Sequence, residues 1–106
     1  MVFKMYRLVY TTTKDEKEAK EIAKALVEEK LAACANIFPI RSIYRWKGKI
    51  CDEKEAAIFI KTKKELVDEV IKRVKELHSY EIPDIISIPI EKGYADFLKW
   101  IGESTK

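Results

Sequence analysis

Two stripes of apolar residues at helical spacing, set among runs of strand-forming sequence, constrain this chain more than any other feature. Ala19, Ile22, Ala23, Leu26 and Val27 recur every third or fourth position, and so do Leu66, Val67, Val70, Ile71, Val74 and Leu77. An α-helix turns once in ~3.6 residues, so each set lines one side of a helix and has to be buried against another layer. The β-branched and aromatic stretches around them supply that layer. Residues 2–10 read as a first strand, 33–39 as a second of small residues, and 40–47 as its extended continuation. Pro39 has no backbone donor and marks an edge, a bend or a bulge. Residues 47–49 read as a turn, and the chain returns from Ile50 through an apolar centre at 56–61. A short strand at 85–90 and a last amphipathic helix carrying Tyr94, Phe97, Leu98 and Ile101 complete the order.

Local signals place the helix starts. Residues 11–14 read as a polar turn, and Thr13 with Glu16 matches a capping box, in which hydroxyl and carboxylate each satisfy a free backbone N–H. Thr62 with Glu65 repeats the pattern before the second stripe. The first helix should end near Lys30 or Leu31, and Ile82-Pro83 should close the second excursion. Strand, helix, strand, strand, helix, strand is the split βαβ order, an α+β ferredoxin-like fold with one added C-terminal helix. Helices on one face of an antiparallel sheet would bury both stripes and leave the other face in need of a cover, which in a short chain points to a partner subunit.

Composition narrows the function. The 106 residues suit one domain spanning 1–106. A formal net charge of +3 is too small to imply nucleic acid or an acidic membrane. No signal peptide or membrane span is expected. Cys34 and Cys51 form neither a CxxC pair nor a zinc-ligand spacing, so a reducing cytoplasm is the expected compartment. Glutamine is absent and Asn36 is the only asparagine, while Glu and Lys dominate, a bias that fits high temperature. The chain has no Gly-rich phosphate loop followed by an arginine, no Ser-His-Asp or Cys-His arrangement, and no basic-aromatic RNP1 run. Enzyme and RNA-binding readings therefore have nothing to rest on.

Four segments carry a family resemblance: KLAACANI at 30–37, SIYRWKGKI at 42–50, ELHSYEIPDI at 76–85 and LKWI at 98–101. In this order and spacing they resemble the signatures of the CutA family. That resemblance implies a ferredoxin-like homotrimer with strands paired between subunits, a cleft at each subunit boundary, and a role in divalent-cation tolerance with copper or another divalent cation as ligand. It implies no catalysis and no organic cofactor, and a likeness to PII signalling proteins gives an alternative role, a sensor of small anions in the intersubunit cleft. The chain departs from the family pattern at Tyr10, where several bacterial members carry cysteine, at Ser79, where proline is usual, and at Arg45, where an aromatic is usual.

His78, the only histidine, is the side chain best suited to a borderline cation, or else a helix C-terminal residue favoured by the macrodipole. Cys34, flanked by alanines, is a soft-metal donor or a small hydrophobe. Trp46, Lys61, Tyr80, Glu81 and Trp100 are the residues expected at the ligand-binding cleft. Lys61 precedes a helix N-terminus and could hold an anion there, and the aromatic residues could wall a cleft or fill an interface. Asp52, Glu53 and Glu55 interleave with Lys54 in a charged hairpin that could attract hard cations or block unwanted strand pairing.

Overall fold

A computed structural model describes residues 5–106, so the part of the expected first strand at 2–4 lies outside the described residues. The elements are β1 (Tyr6–Thr13), α1 (Glu16–Glu28), β2 (Cys34–Trp46), β3 (Lys49–Lys63), α2 (Val67–Leu77), β4 (Ile85–Ile90) and α3 (Ala95–Glu103), with a 3₁₀ turn at Lys64–Leu66 leading into α2. The sheet has four strands in the order β2-β3-β1-β4, and every neighbouring pair is antiparallel. This is the ferredoxin-like arrangement expected from the sequence.

Strand alternation divides the sheet into two faces. Val9 pairs with Ile60 and Thr11 with Ile58, and this row meets the helices. Ala19, Ile22 and Leu26 of α1 and Val70 and Val74 of α2 are buried against it, so both helical stripes enter one core. The other face carries Asn36, Phe59, Tyr10 and Ile86 in one cross-strand row, and Cys34, Lys61, Leu8 and Ile88 in the next. Phe59 makes edge contacts with Phe38 and Tyr10, at centroid distances of 4.9 and 6.0 Å. Ile86 and Ile88 stay 50% and 43% exposed. Ile101, fully buried, and Thr105 seat the C-terminal helix and the residues after it, and the Lys106 N–H donates to the Lys30 carbonyl at 3.0 Å.

Several boundaries differ from the sequence expectation for local reasons. Residues 11–13 are strand rather than turn, because all three threonines are buried and ladder-paired with 56–58. The N-cap of α1 is Asp15, not Thr13; its carboxylate accepts the Glu18 N–H at 2.8 Å, while the Thr13 hydroxyl donates to the Asp15 carbonyl at 2.7 Å. Thr62 caps no helix, because it lies in β3 and donates to the Leu31 carbonyl at 2.6 Å, leaving Lys63 to open the 3₁₀ turn without a side-chain cap. The hairpin turn is the pair Lys47-Gly48 alone, at φ of 50° and 79°, with Lys49 already in β3. Positive φ at both positions is the type I′ geometry that matches strand twist. Pro39 sits in an unbroken β2–β3 ladder opposite Ala56, on an edge strand where its missing N–H costs no internal bond. The second helix ends at Leu77, well before Pro83.

Candidate functional site

The β2–β3 hairpin is longer than the core it covers, and its far end projects past the helices, stretching the molecule to 46 Å along its main axis. Facing it is the segment 78–84 between α2 and β4, which has no helix or strand structure. Between hairpin and segment lies a groove of about 780 Å³. Trp46, Tyr44 and Arg45 form one wall, and Tyr80, Glu81, Ile82 and Asp84 the other. Tyr10, Thr12 and Lys14 close its base, and Glu53 and Glu55 reach in from β3.

Two phenol–carboxylate pairs organise this space. The Tyr80 hydroxyl donates to Glu55, whose side chain is buried at 8% exposure despite its charge. Burial, then the Glu55 carboxylate, pushes the Tyr80 phenol well above its ordinary range. The Tyr44 hydroxyl donates to Glu53 at 2.8 Å, and that bond to a carboxylate is the main cause that pushes Tyr44 up to about 12. Tyr10 is also raised, by burial first and then by the charges of Asp84 and Glu55. In each case nearby negative charge disfavours a phenolate, so the phenols stay hydrogen-bond donors. Lys47 lies 5.6 Å from the centroid of the Trp46 ring. The groove thus combines aromatic walls with oxygen donors of both Glu and Asp type, a set that suits a cation.

His78 stands behind the wall, at the C-cap of α2. Its Nε2 lies 2.7 Å from the Thr12 carbonyl and its Nδ1 accepts the Tyr80 N–H at 3.1 Å. A ring that accepts at Nδ1 carries its proton at Nε2, so both nitrogens are engaged within the chain. The rings of His78 and Tyr80 lie 5.0 Å apart.

Of the residues expected from the sequence, Trp46, Tyr80 and Glu81 come together in the groove. Lys61 and Trp100 do not line it. Lys61 sits toward the other end of β3, donating to the Asn36 side-chain carbonyl. Trp100 stacks on Phe97 along α3, with centroids 5.6 Å apart, and stays 43% exposed. Cys34 pairs across the ladder with Lys61, whereas Thr12, which receives His78, pairs with Ala57. At ~3.3 Å per strand residue, Cys34 and His78 are too far apart to share one ion within a chain. Among the described residues no group of three or more His, Cys, Asp or Glu side chains is gathered closely enough to hold a metal ion. Cys34 and Cys51 are both half-buried and free.

Glu55 and Tyr10 also line the groove, beyond the residues expected there. The signal was present in the turn: a two-residue turn at Lys47-Gly48 fixes Trp46 opposite Lys49, and hence Tyr44 opposite Cys51 and Ile40 opposite Glu55. That register puts Glu53 and Glu55 on the Tyr44 and Trp46 side of the hairpin.

Comparison with known proteins points one way. A profile of the family described as CutA1 divalent ion tolerance protein matches residues 7–104. The divalent-cation tolerance protein CutA of Archaeoglobus fulgidus is 48% identical over 102 residues, covering 96% of this chain and all of that protein. Its solved structure, described there as a periplasmic divalent cation tolerance protein, superposes with a TM-score of 0.94. The crystal structure of CutA1 from Pyrococcus horikoshii is 42% identical, covers 94% of this chain and 98% of its own, and gives a TM-score of 0.91. The human protein CutA is 44% identical over 98 residues, which span 92% of this chain and 55% of that protein. Family profile, near-complete sequence matches and superposable structures agree: this chain belongs to the CutA family of divalent-cation tolerance proteins, which is not an enzyme family.

Proposed function

We propose that this chain works as a cytoplasmic homotrimer that binds copper or another divalent cation at the groove between the hairpin and segment 78–84, and so contributes to the response to metal ions. The observation that carries this reading is the groove itself, which Glu53, Glu55, Glu81 and Asp84 line from two separate parts of the chain beside aromatic walls. Carboxylates attract cations, but the donors of one chain stop short of a closed ligand set. A second copy laid along the open sheet face and its free β2 and β4 edges would bring further donors to the boundary and cover Ile86 and Ile88 at the same time. The two unpaired thiols support a reducing compartment.

His78 is the nitrogen donor of this proposal, and a metal taken at Nδ1 would displace the Tyr80 N–H and so be felt at the groove wall. Cys34 lies outside the groove, on the open face, and enters the proposal as a soft sulfur donor for a separate cation contact there. The test is a copper(II) titration by calorimetry of the wild type, His78→Ala, Glu81→Gln and Cys34→Ser. Loss of a ligating residue should weaken binding by about tenfold or more; unchanged affinity in His78→Ala removes that residue from the site, and no binding by the wild type removes the reading.

The cations Lys14, Arg45 and Lys47 on the same groove favour a second reading, a sensor of a small anionic ligand. Lys61 and Trp100 belong to this alternative only if the subunit boundary extends to them. A thermal-shift screen of nucleotides and phosphorylated metabolites decides it, since a ligand at a hundred times its Kd should add about 2.7 kcal/mol, and no shift with any anion ends it.

A further inference from the structure

We propose that Glu18, which does not touch the groove, is the residue that positions its irregular wall, by clasping the backbone of segment 78–84 to the start of α1; the inference rests on reading the groove as the ligand site. Glu18 is 7% exposed on a helix face shared with Ala19 and Ile22, where an apolar residue would be the unremarkable choice. A carboxylate there is costly to bury unless it is fully hydrogen-bonded. Its own helix does not account for it. The cap of α1 is made by Asp15, which takes the Glu18 N–H, and Glu18 returns only a long bond of 3.3 Å from the Lys14 N–H. Its shorter bond leaves the helix, as Oε2 accepts the Ser79 N–H at 2.8 Å across sixty-one positions of sequence, and the Ser79 hydroxyl donates to the same carboxylate.

That bond lands where it has leverage. Segment 78–84 leaves α2 at Leu77 and enters β4 at Ile85 without a ladder or helix of its own. Its other ties are the two bonds of the His78 ring, to Thr12 and from Tyr80, and the Tyr80 hydroxyl on Glu55. Glu18 therefore pins the residue directly between His78 and Tyr80, and through it the position of Tyr80, Glu81 and Asp84 opposite the hairpin. A proline at this position would restrict φ and offer no N–H. Ser79 instead has a donor, and Glu18 receives it. His78 already has φ −81° and ψ 141°, the extended conformation a following proline requires, so Ser79→Pro removes the donor without forcing His78 to move.

The experiment is amide hydrogen exchange on the full chain in its native assembly, comparing wild type, Glu18→Ala, Glu18→Gln and Ser79→Pro, with Glu18→Ala repeated in the Ser79→Pro background. Loss of one charge-assisted bond should raise exchange at Ser79 and Tyr80 by about tenfold in Glu18→Ala while the amides of Val70 and Val74 keep their rates. Glu18→Gln, which retains a carbonyl acceptor, should recover much of the protection. In the Ser79→Pro background Glu18→Ala should leave Tyr80 exchange within about twofold, because the partner it acts through is gone. Copper(II) affinity should fall in Glu18→Ala and be insensitive to the same change in the Ser79→Pro background. Unchanged exchange at Ser79 and Tyr80, a uniform rise that includes Val70 and Val74, or an equal rise in both backgrounds would each overturn the proposal. Failure of the wild type to bind copper(II) would overturn the metal reading of the groove and leave the exchange result to decide the clasp by itself.

Discussion

Thr11 and Glu18 are both polar and both buried, and their hydrogen bonding makes them opposites. The Thr11 hydroxyl faces the core between Ile58 and Ile85 with no partner among the described residues, so it carries a desolvation cost with nothing to offset it. Thr11→Val keeps the shape and removes that cost, and should leave stability unchanged or raise it by about 1 kcal/mol in urea denaturation; a clear loss would mean the hydroxyl is satisfied in solution. For Glu18, burial pushes the carboxyl up, but the Ser79 hydroxyl and N–H, the Lys14 N–H and the nearby His78 outweigh it and hold the carboxyl below its ordinary range. A carboxyl lowered on folding adds stability above its unfolded value of about 4.3 and loses that contribution as pH falls through the lower folded value. Wild type should therefore lose more stability on acidification than Glu18→Gln, and parallel acid limbs for the two would contradict the account. Trp46, Tyr80 and Glu81, which line the groove, lie in the segments that carry the family resemblance, and that context is what singles them out in the sequence. Glu18 and Glu55 could not, since a Glu among many Lys and Glu residues looks solvated until the fold shows which backbone N–H or phenol it meets.

The elements were legible because their causes are periodic, and their ends were not, because ends depend on distant partners. Both helical stripes and the span of β4 follow from spacing alone. The two capping boxes failed for one reason: Thr13 and Thr62 are drawn into the sheet by ladder partners remote in sequence, which local pattern does not contain. The end of α1 gives a sharper case. Leu31 N–H returns to the Leu26 carbonyl and Lys30 N–H to the Val27 carbonyl, at 2.9 and 3.1 Å, around Lys30 at φ 59°. This is a Schellman closure with lysine at the position that favours glycine. Lys30→Gly should stabilise the fold by about 0.5–1 kcal/mol. The reverse holds at the hairpin, where Gly48 has φ 79° and open space around an added Cβ; Gly48→Ala should cost about 1 kcal/mol from backbone strain alone. Thermal unfolding of the two variants, moving in opposite directions, checks both, and a stabilised Gly48→Ala would contradict the turn geometry.

Across the whole molecule, one sheet face is covered by two helices, and on the other the C-terminal helix reaches only the Tyr6 end, where Gly102 lies beside the Tyr6 hydroxyl. The open face holds Leu8, Tyr10, Phe38 and Phe59, extended by the more exposed Ile86 and Ile88, and the hairpin carries Ile43 and Ile50 at 71% and 62% exposure. Apolar surface of this extent on a small chain marks an interaction surface. On the proposed account sister chains cover it, and the groove beside Trp46 and Tyr80 becomes the seam between them. Counting faces leads one to expect a partner, and that the partner is a sister chain is implied only by family resemblance, because no pattern within one chain specifies the symmetry of its assembly. The measurement that tests the account most directly is the mass of the protein by sedimentation equilibrium at micromolar concentration: the account predicts a single species of three 12.4 kDa chains, and a stable monomer of 12.4 kDa would contradict it.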